Sequence, residues 1–403
     1  MNCVGIDVSK GKSMIAVMRP FGEVVVSPFE VRHTASELSE LARLLKSLDG
    51  ETRVVMESTG NYHAPVAWLL HDAGLYVSVV NAMLVHDYGN NSLRRAKTDK
   101  KDAVKLANYG LDHWLTLPRY IPEEDTRLML KICYRQYQQY SKVQTMLKNN
   151  LISLLDTTFP DANRLFTSPP RADGSEKWVD FVLEFSHCDM ISKLTIKAFA
   201  KKYKKWSDKN SYHFTESSCE KIYAFAKDCV SSVSSDKAIV FSVVQAAKML
   251  ISATENCHAI QSEMNRVASK LPEYDTVMNM YGVGKAVGPQ LMAEIGDPRR
   301  FHSRKAITAY FGYDSENNDS GQKTTRSNPM TKKGSGALRR TLFIIMQVLL
   351  QTKPQDNPVY DFLIKKKSEG KHYYSYINAA ANKFLRIYYA RVKEVLNVSE
   401  QMT

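Results

Sequence analysis

The sequence is poor in the features that define secreted, zinc-bound or membrane-embedded proteins. Its 6 cysteines are scattered along 403 residues, and no two of them have C-x-x-C spacing. Neither a disulfide framework nor a zinc site is therefore expected, which fits a reducing cytoplasm. The longest apolar runs, such as TLFIIMQVLL at 341–350, are too short to span a bilayer. The N-terminus, MNCVGIDVSK, has no basic leader and no cleavable apolar segment, so no signal peptide is expected.

Acidic residues are also in deficit. Lys and Arg number 55 against 42 Asp and Glu, which gives a formal net charge of +13 and a pI of about 9.2. This balance favours a polyanionic partner, most simply nucleic acid. The composition, 44% hydrophobic and 24% charged, is typical of a soluble globular protein, and no membrane partner is expected. The length predicts two or three domains, because a single hydrophobic core rarely grows so large.

The N-terminal part alternates between short apolar strands and amphipathic segments. Strand patterns lie at 3–8, 12–18, 22–31, 52–58 and 76–82, and helix patterns at 34–48, 62–74 and 99–113. Gly11 and then Pro20 to Gly22 mark turns between the first three strands, which predicts an antiparallel meander. The resulting order, βββαβαβα, is that of the ribonuclease H-like fold.

Four acidic residues fall at separate points of this pattern. Asp7 lies in the first strand, Glu57 ends the fourth, and Asp99 and Asp102 lie on the last helix. Residues i and i+3 share a helix face, so the last two can point together at the strand ends. Two-metal phosphoryl chemistry needs carboxylates from separate elements to hold cations about 4 Å apart. The lysines that flank the helical pair and could guide a phosphate backbone are Lys97, Lys100 and Lys101.

Each acid also has a purely structural interpretation. The stretch RAKTDKKDA at 95–103 could be a solvated helix face of mixed charge. Asp7 could form a strand-end turn, or it could be the phosphate-site acid of an actin-like sugar kinase, which begins with a similar GID. Glu57 could cap the following helix through Ser58 or Thr59. The kinase is disfavoured because no glycine-rich second phosphate loop of the DxGGT type follows.

Long amphipathic helices dominate the middle of the chain. Apolar residues recur at three- and four-residue spacing over 123–160, and the same spacing recurs over 236–271. The pair predicts an antiparallel hairpin or a coiled-coil dimer contact. Between them, 161–235 is predicted to form a smaller helical insert. Its stretch KAFAKKYKKW (197–206) interleaves lysines with aromatics, which suits either stacking on unpaired bases or a solvated amphipathic helix.

Two features of the C-terminal block could contact phosphates. Gly282 and Gly284 lie in paired turns before a helix, as in helix-hairpin-helix elements, where backbone N–H groups approach a phosphate. The polar loop at 310–343 contains Ser320, followed by Gly321. Such loops are ordinarily flexible surface, but a serine among cations that hold a phosphodiester is a candidate nucleophile. The candidate phosphate-binding cations are Lys323, Arg326, Lys332, Lys333, Arg339 and Arg340.

The assembled motifs resemble the DEDD-type transposases, a family that includes the Piv-like DNA invertases. GIDVSK, MESTGNYH and KTDKKDA match the family's N-terminal half, which is ribonuclease H-like and RuvC-like. YGVGKAVGPQLMAEIGDPRRF, DSG and TKKGSGALRRTLF match its C-terminal transposase domain. INAAANKFLRIYYA at 377–390 is similar to its closing helix. Only the insert at 161–235 falls outside the resemblance.

The resemblance implies a DNA recombinase that binds Mg²⁺ through Asp7, Glu57, Asp99 and Asp102. The serine that matches Ser320 would attack DNA and form a covalent phosphoserine link to one strand. The implied partners are donor and target DNA, a structured non-coding guide RNA of the bridge type, and further copies of the chain in a dimer or tetramer. Base pairing with the guide would choose the sequence, while the protein grips the backbone.

The chain departs from the family pattern at two places. The family usually has a proline shortly after the glycine that matches Gly312, and GYDSENN has none. Its K-x-G-N reads K-K-G-S here, which puts Ser335 where asparagine is expected. Ser335 and Ser315 are therefore rivals of Ser320 as the nucleophile.

The predicted architecture is α/β followed by α. A ribonuclease H-like metal-binding domain covers 1–118, a long-helix coiled-coil region 119–272, and a mainly helical transposase domain 273–403. The leading alternative function is a RuvC-like metal nuclease or junction resolvase that uses water as its nucleophile. A nucleic-acid-binding protein with a vestigial site is a further alternative, and the presence of all four acids argues against it.

Overall fold

The computed structural model describes residues 1–58, 60–88, 98–314 and 330–401. By its internal contacts the chain divides into two compact units, Met1–Glu123 and Glu124–Thr403. We call them the N-terminal unit and the C-terminal unit. The predicted division into three domains stays a prediction.

The described residues of the N-terminal unit form a mixed five-stranded sheet. Its strands are β1 (Asn2–Ser9), β2 (Lys12–Arg19), β3 (Glu23–Arg32), β4 (Thr52–Glu57) and β5 (Tyr76–Val80). The spatial order is β3-β2-β1-β4-β5. The β1–β2 and β2–β3 pairs are antiparallel, whereas β4 runs parallel to β1 and β5 parallel to β4. This is the topology of the ribonuclease H-like fold, which the element order predicted.

Helices cover both faces of this sheet. They are α1 (Ala35–Lys46), α2 (His63–Asp72), α3 (Ala82–Asp87) and α4 (Asp99–Asp112). One apolar core contains Val4, Ile6 and the buried side chains of α1 and α2, and a second contains Cys3 and the buried side of α4. The fifth strand ends two residues earlier than predicted, because the Asn81 side chain accepts a hydrogen bond from the Met83 N–H and begins α3.

Two glycines allow α4 to lie directly against β1 and β4. A Cβ on Gly5 would lie 2.0 Å from the Ala103 carbonyl oxygen and 2.5 Å from the Ala107 nitrogen. A Cβ on Gly110 would lie 2.3 Å from the Cys3 Sγ and 2.7 Å from a methyl group of Val55. Since the later helix residue meets the earlier strand residue, α4 runs antiparallel to β1. The first turn of α4 therefore lies at the carboxyl end of β1.

We expect Gly5→Ala to destabilise the N-terminal unit by about 3 kcal/mol. The added methyl group would collide with backbone atoms of α4, which cannot move aside by a change of rotamer as a side chain can. The measurement is thermal unfolding of the full chain by circular dichroism. Gly284→Ala is the matched control, since a Cβ there meets nothing within 4 Å. Unfolding of Gly5→Ala at the wild-type temperature would show that α4 does not pack this closely.

The C-terminal unit begins with the helical pair that the sequence predicted. Helices α5 (Asp125–Thr158) and α10 (Lys237–Ala268) pack antiparallel, and the Gln144 amide donates to the Thr254 hydroxyl at 2.9 Å between them. The hairpin interpretation is thus confirmed within one chain. Among the described residues, α10 alone is long and apolar enough to cross a membrane, and 33% of its most apolar window is buried in the protein. Some of its side chains are buried against neighbouring helices, and it is not a clear membrane span.

The insert packs as a helical layer on one end of this hairpin. Its helices are α6 (Lys177–Glu184), α7 (Asp189–Ser192), α8 (Ile196–Lys209) and α9 (Glu216–Asp228). The aromatic side chains of KAFAKKYKKW are buried in its core, so the base-stacking interpretation of this stretch is wrong. Phe199, Tyr203 and Trp206 follow each other at intervals of four and three, which places all three on the inner face of α8.

The remaining six α-helices of the described residues pack together, with the long C-terminal helix at their centre. They are α11 (Tyr274–Met278), α12 (Gly288–Ile295), α13 (Arg304–Tyr310), α14 (Gly336–Thr352), α15 (Pro358–Ser368) and α16 (Tyr373–Gln401). An apolar stripe of α16, including Phe384 and Tyr388, is buried among them. Beside this core, the Arg127 guanidinium donates to both carboxylate oxygens of the fully buried Glu273. Such a pair is costly to break, because either partner alone would be an uncompensated buried charge.

Candidate active site

Asp7 and Glu57 occupy adjacent positions on neighbouring strands. The parallel register of β1 and β4 pairs Ile6 with Met56, so the two acids are the next residues in register. Adjacent strands lie about 4.8 Å apart, and register partners point to the same face. Both side chains are half-buried. The sheet therefore brings two carboxylates together at its carboxyl edge.

The first turn of α4, which carries Asp99 and Asp102, lies at the carboxyl end of β1. Cys3 and Val55 face α4, and side chains two and four residues further along a strand point the same way. Asp7 and Glu57 consequently face α4 as well. The pKa of Lys12, the first residue of β2, is raised chiefly by its hydrogen bond to Glu30, and Asp99 contributes in the same direction.

The local structure of this turn is set by its cap. The Thr98 hydroxyl accepts a hydrogen bond from the Lys101 N–H and begins α4 at Asp99. Carboxylates in a first turn are also stabilised by the positive end of the helix dipole. Lys100 and Lys101 are exposed on the same turn. Of the predicted residues around this site, Lys97 lies outside the described part of the chain.

The donor set of these four acids suits a hard divalent cation. Carboxylate oxygens are the ligands that Mg²⁺ prefers, whereas zinc and copper sites favour imidazole and thiolate. Like charges brought to one sheet edge repel each other, and a bound cation relieves that repulsion. The arrangement can hold cations and, through the exposed lysines, attract a phosphate backbone.

The C-terminal candidates are described only in part. Ser320, its rival Ser315, and the cations Lys323 and Arg326 lie outside the described residues. Ser335 begins α14, where its hydroxyl accepts from the Leu338 N–H at 3.1 Å and donates to the buried Glu294 at 2.5 Å. Asparagine and serine are comparably good helix N-caps, so capping accounts for the serine at this family asparagine position without a catalytic role.

The predicted cations at α14 have different surroundings. The Arg339 guanidinium donates to the carbonyl oxygens of Phe311, at 3.0 Å, and Gly334, at 3.2 Å, so it ties the start of α14 to the end of α13. Lys332, Lys333 and Arg340 are exposed. These three side chains can reach a phosphate backbone, whereas Arg339 has a structural role as well.

Gly282 and Gly284, the two glycines of the hairpin-like turn, differ in the space around them. Gly282 has a φ of +78°, and a Cβ there would meet the Ile345 side chain of α14 at 3.0 Å, so packing explains this glycine. A Cβ on Gly284 would meet nothing within 4 Å. Of the two, Gly284 is therefore the one that leaves room for a ligand.

Sequence reasoning missed Gly5 and Gly110, which position the acidic helix. The signal was present for Gly5, because glycine inside a strand often marks a close backbone approach.

The N-terminal unit thus has the strand order of the ribonuclease H-like fold. A family model described as a transposase, of the DEDD type found in IS110, matches residues 4–160. A second, described as the transposase IS116/IS110/IS902 family, matches residues 274–361. Together the two matches span more than half of the chain, which belongs to the IS110-type DEDD transposases. It is an enzyme that acts on DNA.

The proteins similar to this chain include relatives that match most of its length and a solved structure that matches part of it. The pilin gene-inverting proteins of Moraxella bovis and Moraxella lacunata are each 22% identical over 341 residues, 85% of this chain and 80% of theirs. An uncharacterized 43.6 kDa protein of the insertion element IS110 from Streptomyces coelicolor is 19% identical over 391 residues, 97% of this chain and 94% of its own. Thermus thermophilus RuvC is 14% identical with a TM-score of 0.24, and covers 30% of this chain and 100% of its own.

Proposed function

We propose that the protein cuts and rejoins DNA strands with Asp7, Glu57, Asp99 and Asp102 as ligands of Mg²⁺ and Ser320 as the nucleophile. The metal site is supported by the packing of α4 across Gly5, which puts the first turn of α4 at the carboxyl end of β1, where Asp7 lies. The nucleophile is supported by the family resemblance of the DSG motif.

Bound divalent cations would supply Lewis-acid stabilisation of the phosphate and activation of a nearby hydroxyl. The four carboxylates hold and orient them. Lys100 and Lys101, exposed on the same helical turn, attract the phosphate backbone toward the acids. Without such help, the negative edge of the sheet would repel DNA.

In the proposed reaction the serine replaces one phosphodiester bond of the DNA by another, so the strands can be rejoined without an external energy source. A serine hydroxyl is a poor nucleophile near neutral pH and needs a base or metal beside it. The Ser320 oxygen forms a bond to phosphorus, the bond from phosphorus to one deoxyribose oxygen breaks, and that oxygen leaves with a proton. Attack by a hydroxyl of the partner strand then reverses these bonds and releases the serine.

Donor and target DNA, a guide RNA and further copies of the chain are the partners we propose. The net charge of +13 supports contact with polyanions, and the family resemblance supports the RNA and the oligomer. In such a complex, base pairing would read the sequence and the basic protein surface would hold the backbone.

A denaturing gel tests this function against a water-using nuclease. With labelled supercoiled donor DNA, we expect a DNA–protein adduct that survives denaturation, requires Mg²⁺ and disappears with EDTA. Phosphoserine explains the adduct, because hydrolysis by water leaves no protein on the DNA. Cleaved DNA without any adduct would favour the nuclease, and an adduct formed equally in EDTA would contradict the metal site.

A further inference from the structure

A cluster of aromatic rings lies on the surface where α14 meets the start of α16. We call Phe343, His372, Tyr373 and Tyr374 the aromatic platform. Tyr374 is 60% exposed, although tyrosine has a large apolar ring. It stacks on Phe343 with ring centroids 6.4 Å apart and an interplanar angle of 28°, and His372 lies 6.0 Å away.

The platform is held rigidly from below. The Gln347 amide donates to the Tyr373 hydroxyl, and the Tyr373 ring meets the buried Tyr376 edge-on at 5.5 Å. The N–H groups of Ser375 and Tyr376 both donate to the His372 carbonyl, which fixes the first turn of α16. The backbone that carries Tyr374 is therefore fixed before a flat ligand stacks on the ring, which lowers the cost of ordering the site on binding.

The chain beside the platform is strongly basic. The segment KKKSEGKH at 365–372 has four lysines and one glutamate. The pKa of Glu369 is lowered, chiefly by its hydrogen bond to Lys366 and further by Lys365 and Lys371, so these lysines gather around a single carboxylate. On α14, Arg340 precedes Phe343 by three residues and is exposed on the same side of the helix.

We propose that the aromatic platform binds an unpaired nucleotide, with its base on the Tyr374 ring and its phosphates beside Lys371 and the neighbouring lysines. This proposal rests on the proposed function, because it assumes a nucleic-acid partner. Stacking requires an open base face, which duplex bases lack and single strands offer. A protein partner fits less well, since lysine is depleted in protein–protein interfaces.

The test is fluorescence anisotropy of the full chain with a labelled oligothymidylate, an oligouridylate and a DNA duplex of equal length. We expect Tyr374→Ala to weaken binding of a single strand by about five- to a hundredfold, the range for one lost base–aromatic stack. Tyr374→Trp, which keeps a ring, should bind within about twofold of wild type. Duplex binding should not change.

Tyr140→Ala removes an exposed tyrosine from α5 and serves as the matched control. A loss confined to oligouridylate would support RNA as the ligand, and one confined to oligothymidylate would support a DNA strand. Wild-type binding of both single strands by Tyr374→Ala would overturn the platform. Adduct formation on donor DNA is measured in parallel with the Tyr374→Ala variant. A variant that binds single strands normally but still forms the adduct contradicts the platform and leaves the proposed function intact. Absence of the adduct in the wild-type protein would instead contradict the proposed function.

Discussion

Asp7→Asn should lower the rate of Mg²⁺-dependent DNA cleavage by a factor of about 10³ or more, because a metal site contributes several kcal/mol to phosphoryl transfer. Asparagine has nearly the shape of aspartate but removes one anionic oxygen from the sheet edge. Asp102→Asn should act in the same direction, since it removes a carboxylate from the opposing helical turn. The measurement is the initial cleavage rate of supercoiled donor DNA at several Mg²⁺ concentrations.

The control for these variants is Glu40→Gln on α1. It makes the same charge change in the same unit, at an exposed side chain whose carboxylate lies 3.9 Å from the Arg43 guanidinium. We expect wild-type cleavage from it. If Asp102→Asn also cleaves at the wild-type rate, RAKTDKKDA is a solvated helix face of mixed charge and nothing more.

Ser320→Ala should abolish the covalent DNA–protein adduct while DNA binding and folding stay unchanged, because only one hydroxyl group is lost. The adduct is measured on a denaturing gel, binding by anisotropy and folding by circular dichroism. A surviving adduct would remove Ser320 from the mechanism.

Ser335→Ala is the control that separates the rival serines. It should keep the adduct but lower stability by about 1 kcal/mol, because it removes the helix cap of α14. Loss of the adduct with folding intact would instead identify Ser335 as the nucleophile. The Glu294 carboxylate, which accepts from the Ser335 hydroxyl, would then be the first candidate for its base.

Much of the N-terminal unit could be predicted from the sequence. The apolar runs around Asp7 and Glu57 were predicted as strands, and the helix predicted over 99–113 agrees with α4 to within one residue of its observed end. The strand ending at Val80 was overextended, because Asn81 continues an apolar run while its side chain caps the next helix. Boundaries of this kind depend on a single hydrogen bond.

The roles of several residues could not be predicted in this way. The aromatics of KAFAKKYKKW have the same spacing whether they stack on bases or fill a core, and only the surrounding helices of the insert show that they are buried. The sequence around Ser335 is compatible with a nucleophile and with a helix cap, and the hydrogen bond that its hydroxyl donates to Glu294, 41 residues earlier, is evident only in the folded structure.

Local pattern was sufficient for the strands, the helices, the basic charge and the four acidic residues, because periodicity, capping and composition act over a few neighbouring residues. The position of the first turn of α4 at the carboxyl end of β1 depended on the packing of α4 over Gly5, a contact between backbone atoms nearly a hundred residues apart along the chain. Such contacts are set by the shapes of two distant surfaces, which a one-dimensional pattern does not contain. The same holds for the aromatic platform, whose rings come from two helices that only the folded C-terminal unit brings together.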